Sequence, residues 1–263
     1  MSKENRTAII TGAYGAIGQA IAEGVALKGY RVILVGRDQK KLEQTCSMLK
    51  IKSKNEDVRY ETVDLGLKRD IEVFANRWNE PLHLLINNAA TAPRTRTETS
   101  EGIEVQWATN VLGYYWMTQH FHPFMAGLPD ARIVNVASYW AGGLDFHDLQ
   151  FRNRPYDNDV AYRQAKQANR MISAVFAERL KQHGIMVNAC HPGDVNSKLS
   201  NAFGFGGSET PAEGAATPLY LVLSPEMAGI TGKYYEHLNP VQCQFCRDAD
   251  KIDELFNLVK TSF

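Results

Sequence analysis

The sequence predicts one α/β domain, with a doubly wound, mostly parallel sheet of seven strands and helices on both faces. Three observations predict it. Short, nearly continuous apolar runs alternate with amphipathic stretches, a glycine-rich turn joins the first run to the first amphipathic stretch, and no Pro/Ser/Gly linker divides the 263 residues. A strand buried on both faces has no polar side to show, so the apolar runs fit parallel strands covered by helices.

In chain order, strands are expected over 7–10, 31–35, 59–63, 83–87, 132–137, 186–191 and about 232–235. Helices are expected between them over 17–29, 40–49, 68–78, 102–121, 162–183 and 212–223, with Gly29 and Gly184 closing two of them. Six helices between seven strands is the count of a Rossmann fold over residues 1–263. Two irregular stretches, 139–159 and 194–211, follow the fifth and sixth strands at their carboxyl ends. Ligands bind at those ends in open α/β sheets, so a substrate is expected to meet these loops.

Composition narrows the partners. Lys and Arg number 29 against 29 Asp and Glu, with 44% hydrophobic and 22% charged residues. A neutral chain has no long-range field for a phosphate backbone or an anionic membrane, which argues against nucleic acid and leaves a small neutral or apolar ligand. The polar residues before Thr7 suggest neither signal peptide nor membrane anchor, and four scattered cysteines suit a reducing compartment, so a cytoplasmic location is expected. Cys243 and Cys246 form a lone CxxC without a second ligand pair, read as two small residues on a buried strand; no metal is expected.

The glycine-rich turn runs from Thr11 through Gly12, Tyr14, Gly15, Ala16 and Ile17 to Gly18, between a strand and a helix. Glycines let the backbone approach a pyrophosphate while the helix amino terminus presents free N–H groups to it, the context of a dinucleotide site. Gly36, not an acid, ends the second strand, and Arg37 beside it suits a 2′-phosphate. Asp38 reads as the N-cap of the next helix. NADP is therefore expected over NAD, although Arg37 covering an adenine face is the alternative. Asp64 and Leu65 end the third strand, where the Asp64 carboxylate either accepts from an adenine amino group or caps a turn.

Tyr162 and Lys166 stand four residues apart on one helix face, where an ammonium favours the phenolate. Together with Thr11–Gly18, Asn87–Asn88–Ala89, Asn110, Ser138 and Pro192–Gly193, in this order, they make the chain resemble the short-chain dehydrogenases/reductases along nearly its whole length. The stretches 81–89, 132–136, 161–169 and 187–193 are most similar to the retinol dehydrogenase-like branch. The resemblance implies Tyr162 as general acid/base, Lys166 as its pKa partner and ribose ligand, and Ser138 as the substrate-oxygen donor. Asn110 would hold a proton-relaying water. Asn87, Asn88, Ala89, Ala90, Pro192, Gly193 and Val195 would line the cofactor, and Ser197 would reach its carboxamide. Three departures stand out: Ala90 replaces a usual glycine, Tyr14 replaces a small or basic residue, and Ser197 replaces a threonine.

Aromatic residues Tyr139, Trp140, Phe146, Phe151, Phe203 and Phe205 fall in the two loops, which points to an apolar aldehyde, ketone or alcohol. His147 and His191 read as structural. The resemblance allows a homodimer through the helices over 102–121 and 162–183, although no continuous apolar stripe marks them. A cofactor-binding regulatory protein without turnover is the competing reading, and the intact Ser138, Tyr162 and Lys166 set argues against it.

Overall fold

Alternation within the apolar runs sorts the side chains of the computed structural model, which describes residues 6–261, onto the two faces of one sheet. The parallel strands are β1 (Thr7–Thr11), β2 (Arg31–Gly36), β3 (Val58–Thr62), β4 (Leu84–Asn87), β5 (Arg132–Val136), β6 (Met186–His191) and β7 (Tyr234–Glu236). An eighth, β8 (Asn239–Val241), pairs antiparallel with β7, so Pro240 stands opposite Tyr235. The order is β3-β2-β1-β4-β5-β6-β7-β8. The chain winds outward from β1 to β3 and returns to β4, which opens a crevice at the carboxyl ends of β1 and β4.

On one face α1 (Ala16–Leu27), α2 (Gln39–Ser53) and α8 (Pro211–Leu223) bury Ile10, Leu34, Ile86 and Val134. On the other, α3 (Lys68–Arg77), α5 (Gly113–Phe121), α6 (Asn158–Lys181) and α9 (Ala249–Thr261) bury Ile9, Ile33, Leu85 and Ile133. Short α4 (Val105–Trp107) leads into α5 through a π turn, Ala108–Leu112, and short α7 (Lys198–Ala202) sits inside the 194–211 loop.

Several expectations change. The sheet has eight strands rather than seven, because the chain doubles back after β7 through His237 and Leu238, both at left-handed φ. The helix expected from residue 162 begins four residues earlier, since the Asp157 carboxylate accepts from the N–H groups of Asp159 and Val160 and caps it. The helix expected over 102–121 starts only after Gly102, whose φ of +74° belongs to a turn, and widens at the π turn. Cys243 precedes and Cys246 ends a 3₁₀ turn, Gln244–Cys246, and neither lies on a strand. Met1–Asn5, on which the no-leader reading rests, and Ser262–Phe263 lie outside the described residues. No helix among those described is long and apolar enough to cross a membrane.

Candidate active site

Gly12 has φ +64°, and a Cβ there would stand 2.7 Å from the Ala89 Cα, so the loop needs glycine for both conformation and closeness. A Cβ on Gly18 would overlap the Gly12 carbonyl. Gly15 begins α1 without any side-chain cap, which leaves the N–H groups of Ala16, Ile17 and Gly18 to an anion. Asn88 braces the turn from β4: its Nδ2 donates to the Thr11 carbonyl at 2.9 Å, and its N–H donates to Thr11 Oγ1 at 2.8 Å. Ala89 N–H also donates to Thr11 Oγ1, while Ala90 is exposed. Asn87 lies beneath, fully buried and donating to Asn135 Oδ1.

The end of β2 is shaped by Tyr14. A Cβ on Gly36 would lie 2.5 Å from the Tyr14 ring, so any side chain there would have to displace that ring. Asp38 is the N-cap of α2, accepting from Lys41 N–H at 3.1 Å and pairing with the Lys41 ammonium. Arg37 is exposed and, among the described residues, has neither ion pair nor hydrogen bond. Asp64 Oδ1 accepts from Gly66 N–H at 2.9 Å and caps a turn, and Leu65 is core.

The catalytic candidates meet where β5 ends above α6. Lys166 and Tyr162 are one turn apart, both buried, with the Lys166 ammonium 5.5 Å from the Tyr162 ring centre and 2.8 Å from the Val136 carbonyl it donates to. Burial pushes Tyr162 above the ordinary phenol range, and a hydrogen bond with Ser138 works against that shift. Burial lowers Lys166 to about 7. Tyr114 closes the group from α5, its hydroxyl donating to the same Val136 carbonyl. Asn110 lies within the π turn with its side chain engaged: Oδ1 accepts from Thr91 N–H at 2.8 Å and Nδ2 donates to the Thr91 carbonyl.

A cavity of about 150 Å³ opens beside Ser138 and Tyr162, with Trp140, Leu199, Phe203 and Phe205 on its apolar side. The Phe203 ring centre is 5.0 Å from that of Tyr162 and 5.6 Å from that of Trp140. Pro192, Gly193, Val195 and Ser197 line it from β6 onward, and the Ser197 hydroxyl accepts from Ser200 N–H in a capping box that starts α7. Tyr139 and His191 line the cavity too, and the other loop aromatics lie elsewhere. Tyr139 packs edge-on against His191 at 4.5 Å, Phe146 packs on the core, and Phe151 is buried under Arg154. His191 is buried and held neutral, down to about 3, by burial and the cations around it.

Arg170 escapes a reading of motifs. Its guanidinium donates to the Ser138 carbonyl and to the Tyr234 hydroxyl, fixing the backbone of a catalytic candidate. The signal was available: Tyr162, Lys166 and Arg170 repeat every four residues along one helix face.

The short chain dehydrogenase family model matches residues 6–204. The chain is 31% identical to mouse retinol dehydrogenase 13 over 253 residues, 89% of this chain and 76% of that one. It is 32% identical to human retinol dehydrogenase 12 over 248 residues, covering 88% and 77%. A crystal structure of an uncharacterized protein from Mycobacterium paratuberculosis superposes with TM-score 0.82 at 26% identity, covering 98% of this chain and 93% of that one. The chain belongs to the short-chain dehydrogenases/reductases, nicotinamide-dependent oxidoreductases that act on CH–OH groups, and stands close to their retinol dehydrogenase-like branch.

Proposed function

We propose that the protein is an NADP-dependent oxidoreductase for an apolar aldehyde or ketone, or the corresponding alcohol, with Tyr162 as general acid/base. The observation that carries the reading is the convergence of Ser138, Tyr162 and Lys166 beside one aromatic-lined cavity at the end of β5. The residues of the crevice fit a dinucleotide phosphate: an uncapped helix amino terminus, a glycine turn without room for a Cβ, and the unpaired Arg37 next to a Gly36 that packs against the Tyr14 ring. When bound, the nicotinamide supplies or accepts the hydride.

This chain's own residues handle the proton. A carbonyl oxygen entering the cavity meets the Ser138 hydroxyl and the Tyr162 phenol. Burial keeps the phenol protonated at neutral pH, the state a proton donor needs for reduction. As Tyr162 releases that proton to the oxygen, the nearby Lys166 charge favours the phenolate left behind. Ser138, its backbone held by Arg170, donates to the oxygen as charge develops on it. Asn110 is the residue to hold a proton-relaying water, and its side chain is bonded to the Thr91 backbone beside the site.

Trp140, Phe203 and Phe205 favour an apolar substrate, and the names of the relatives make retinaldehyde the first compound to test. The decisive experiment follows NADPH oxidation across a panel of apolar carbonyls, comparing wild type with Tyr162→Phe. A loss of about 10²–10⁴-fold with NADPH binding retained is expected; equal, negligible turnover in both would favour the regulatory reading. In a cofactor titration Arg37→Ala weakens NADPH about tenfold and leaves NADH unchanged, and tighter NADH binding by wild type would reverse the cofactor assignment. The reading carries with it one domain over 1–263 and a cytoplasmic location, tested by limited proteolysis and cell fractionation. A homodimer through α5 and α6 competes with α9 for the same face.

A further inference from the structure

Cys243 and Cys246 take no part in the chemistry above, yet they are the two cysteines outside the buried core, Cys46 and Cys190 being buried. The 3₁₀ turn brings their sulfurs to 2.9 Å, with the Cys246 thiol donating to the Cys243 sulfur. The backbone closes the same loop, Cys246 N–H donating to the Cys243 carbonyl at 3.1 Å. Both are half-buried, with Gln242, Gln244 and Arg247 around them exposed, so the segment lies at the surface.

We propose that Cys243 and Cys246 form a reversible dithiol centre that exchanges with low-molecular-weight disulfides. Cys243 is the attacking thiol. It receives the Cys246 S–H and stands at the start of the turn, and that donor, the turn's backbone N–H groups and the Arg170 guanidinium hold its pKa below the ordinary thiol range against the opposing effect of burial. Burial and the neighbouring Cys243 sulfur push Cys246 the other way, so it waits as the resolving thiol.

The reaction balances in two steps. The Cys243 thiolate attacks one sulfur of the external disulfide, forming a mixed disulfide and expelling one thiolate. The Cys246 thiol then loses its proton to solvent and attacks the Cys243 sulfur, expelling the second thiolate and leaving the Cys243–Cys246 disulfide. The protein is oxidised by two electrons and the external disulfide is reduced to two thiols. Among the described residues no group of three His, Cys, Asp or Glu side chains surrounds a common metal position, so these two sulfurs lack the further ligands that a zinc ion needs. The centre also touches the active site: the Cys246 sulfur lies 3.6 Å from the Arg170 carbonyl, and the Arg170 guanidinium donates to the Ser138 carbonyl.

The test uses the full chain and glutathione as the probe, read by mass rather than by turnover. After equilibration in mixtures of reduced and oxidised glutathione and acid quenching, wild type is expected to lose two hydrogens, mapped to a Cys243–Cys246 peptide and restored by dithiothreitol. Cys246→Ser should stop at a single glutathione adduct on Cys243, and Cys243→Ser should form neither product. In parallel, iodoacetamide should label Cys243 about tenfold faster than Cys46 or Cys190 in folded wild type at neutral pH. Wild type that stays fully reduced across all mixtures, or a Cys243 labelled no faster than the buried cysteines, would overturn the proposal.

Discussion

Lys166 is the residue on which burial acts most directly: a cation enclosed by the end of β5, Tyr114 and Tyr162, held by one carbonyl. Its pKa falls from the ordinary 10.5 to about 7, so between those values the unfolded chain binds a proton that the folded chain has released. Unfolding free energy contributed by this group therefore rises with pH across that window. Urea midpoints of wild type should increase from about pH 7 to about pH 9 relative to those of Lys166→Met, which lacks the titration. Above about 7 the lost charge no longer supports the Tyr162 phenolate, so carbonyl reduction should slow as pH rises through that value while cofactor affinity falls less. At Gly18 the constraint is steric rather than electrostatic. Gly18→Ala places a methyl group on the Gly12 carbonyl, and denaturant unfolding should show a loss of about 1–3 kcal/mol together with weakened NADPH binding.

Tyr162, Lys166 and Arg170 succeed one another along α6, so this single helix positions the proposed proton donor, the cation beside it and the brace on Ser138. Phe256 of α9 packs against Tyr115 and Phe176 at 5.5 and 5.4 Å and lies under the Arg179 guanidinium. Phe256→Ala should therefore cost about 3–5 kcal/mol of stability, measured by urea titration, without changing cofactor preference. The central strands and most helices are legible in the sequence because their periods differ so plainly. The α9 pattern is present as well, with Ile252, Leu255, Phe256 and Val259 at helical spacing, although the helices expected from the sequence end at residue 223. The π turn was not legible, since one residue of extra winding leaves the apolar pattern of 105–121 almost unchanged. Within the candidate site, what is legible is the backbone constraint a motif carries, as at Gly12 and Gly18. Partners such as Thr91 for Asn110 and Ser200 for Ser197 depend on how distant or local loops settle, which spacing does not encode.

Across the whole molecule, the face that the family resemblance assigns to pairing is closed within one chain. Along α5 and α6 only Gln119, Glu178, Arg179 and Lys181 are exposed, because α9 and the folded part of the 139–159 loop cover the rest. Light scattering should accordingly give a monomer of about the chain mass of 29.5 kDa, and a stable dimer would have to use another surface. The two sheet margins bear on a different kind of association. At one end β3 is the last strand and carries Arg59 and Glu61; at the other, β8 is three residues long and has Pro240 at its centre, without an N–H to offer. A stray extended chain thus meets charge at one margin and a missing donor at the other, so the open sheet gives little template for fibrous growth even though its interior strands are among the most apolar segments of the protein.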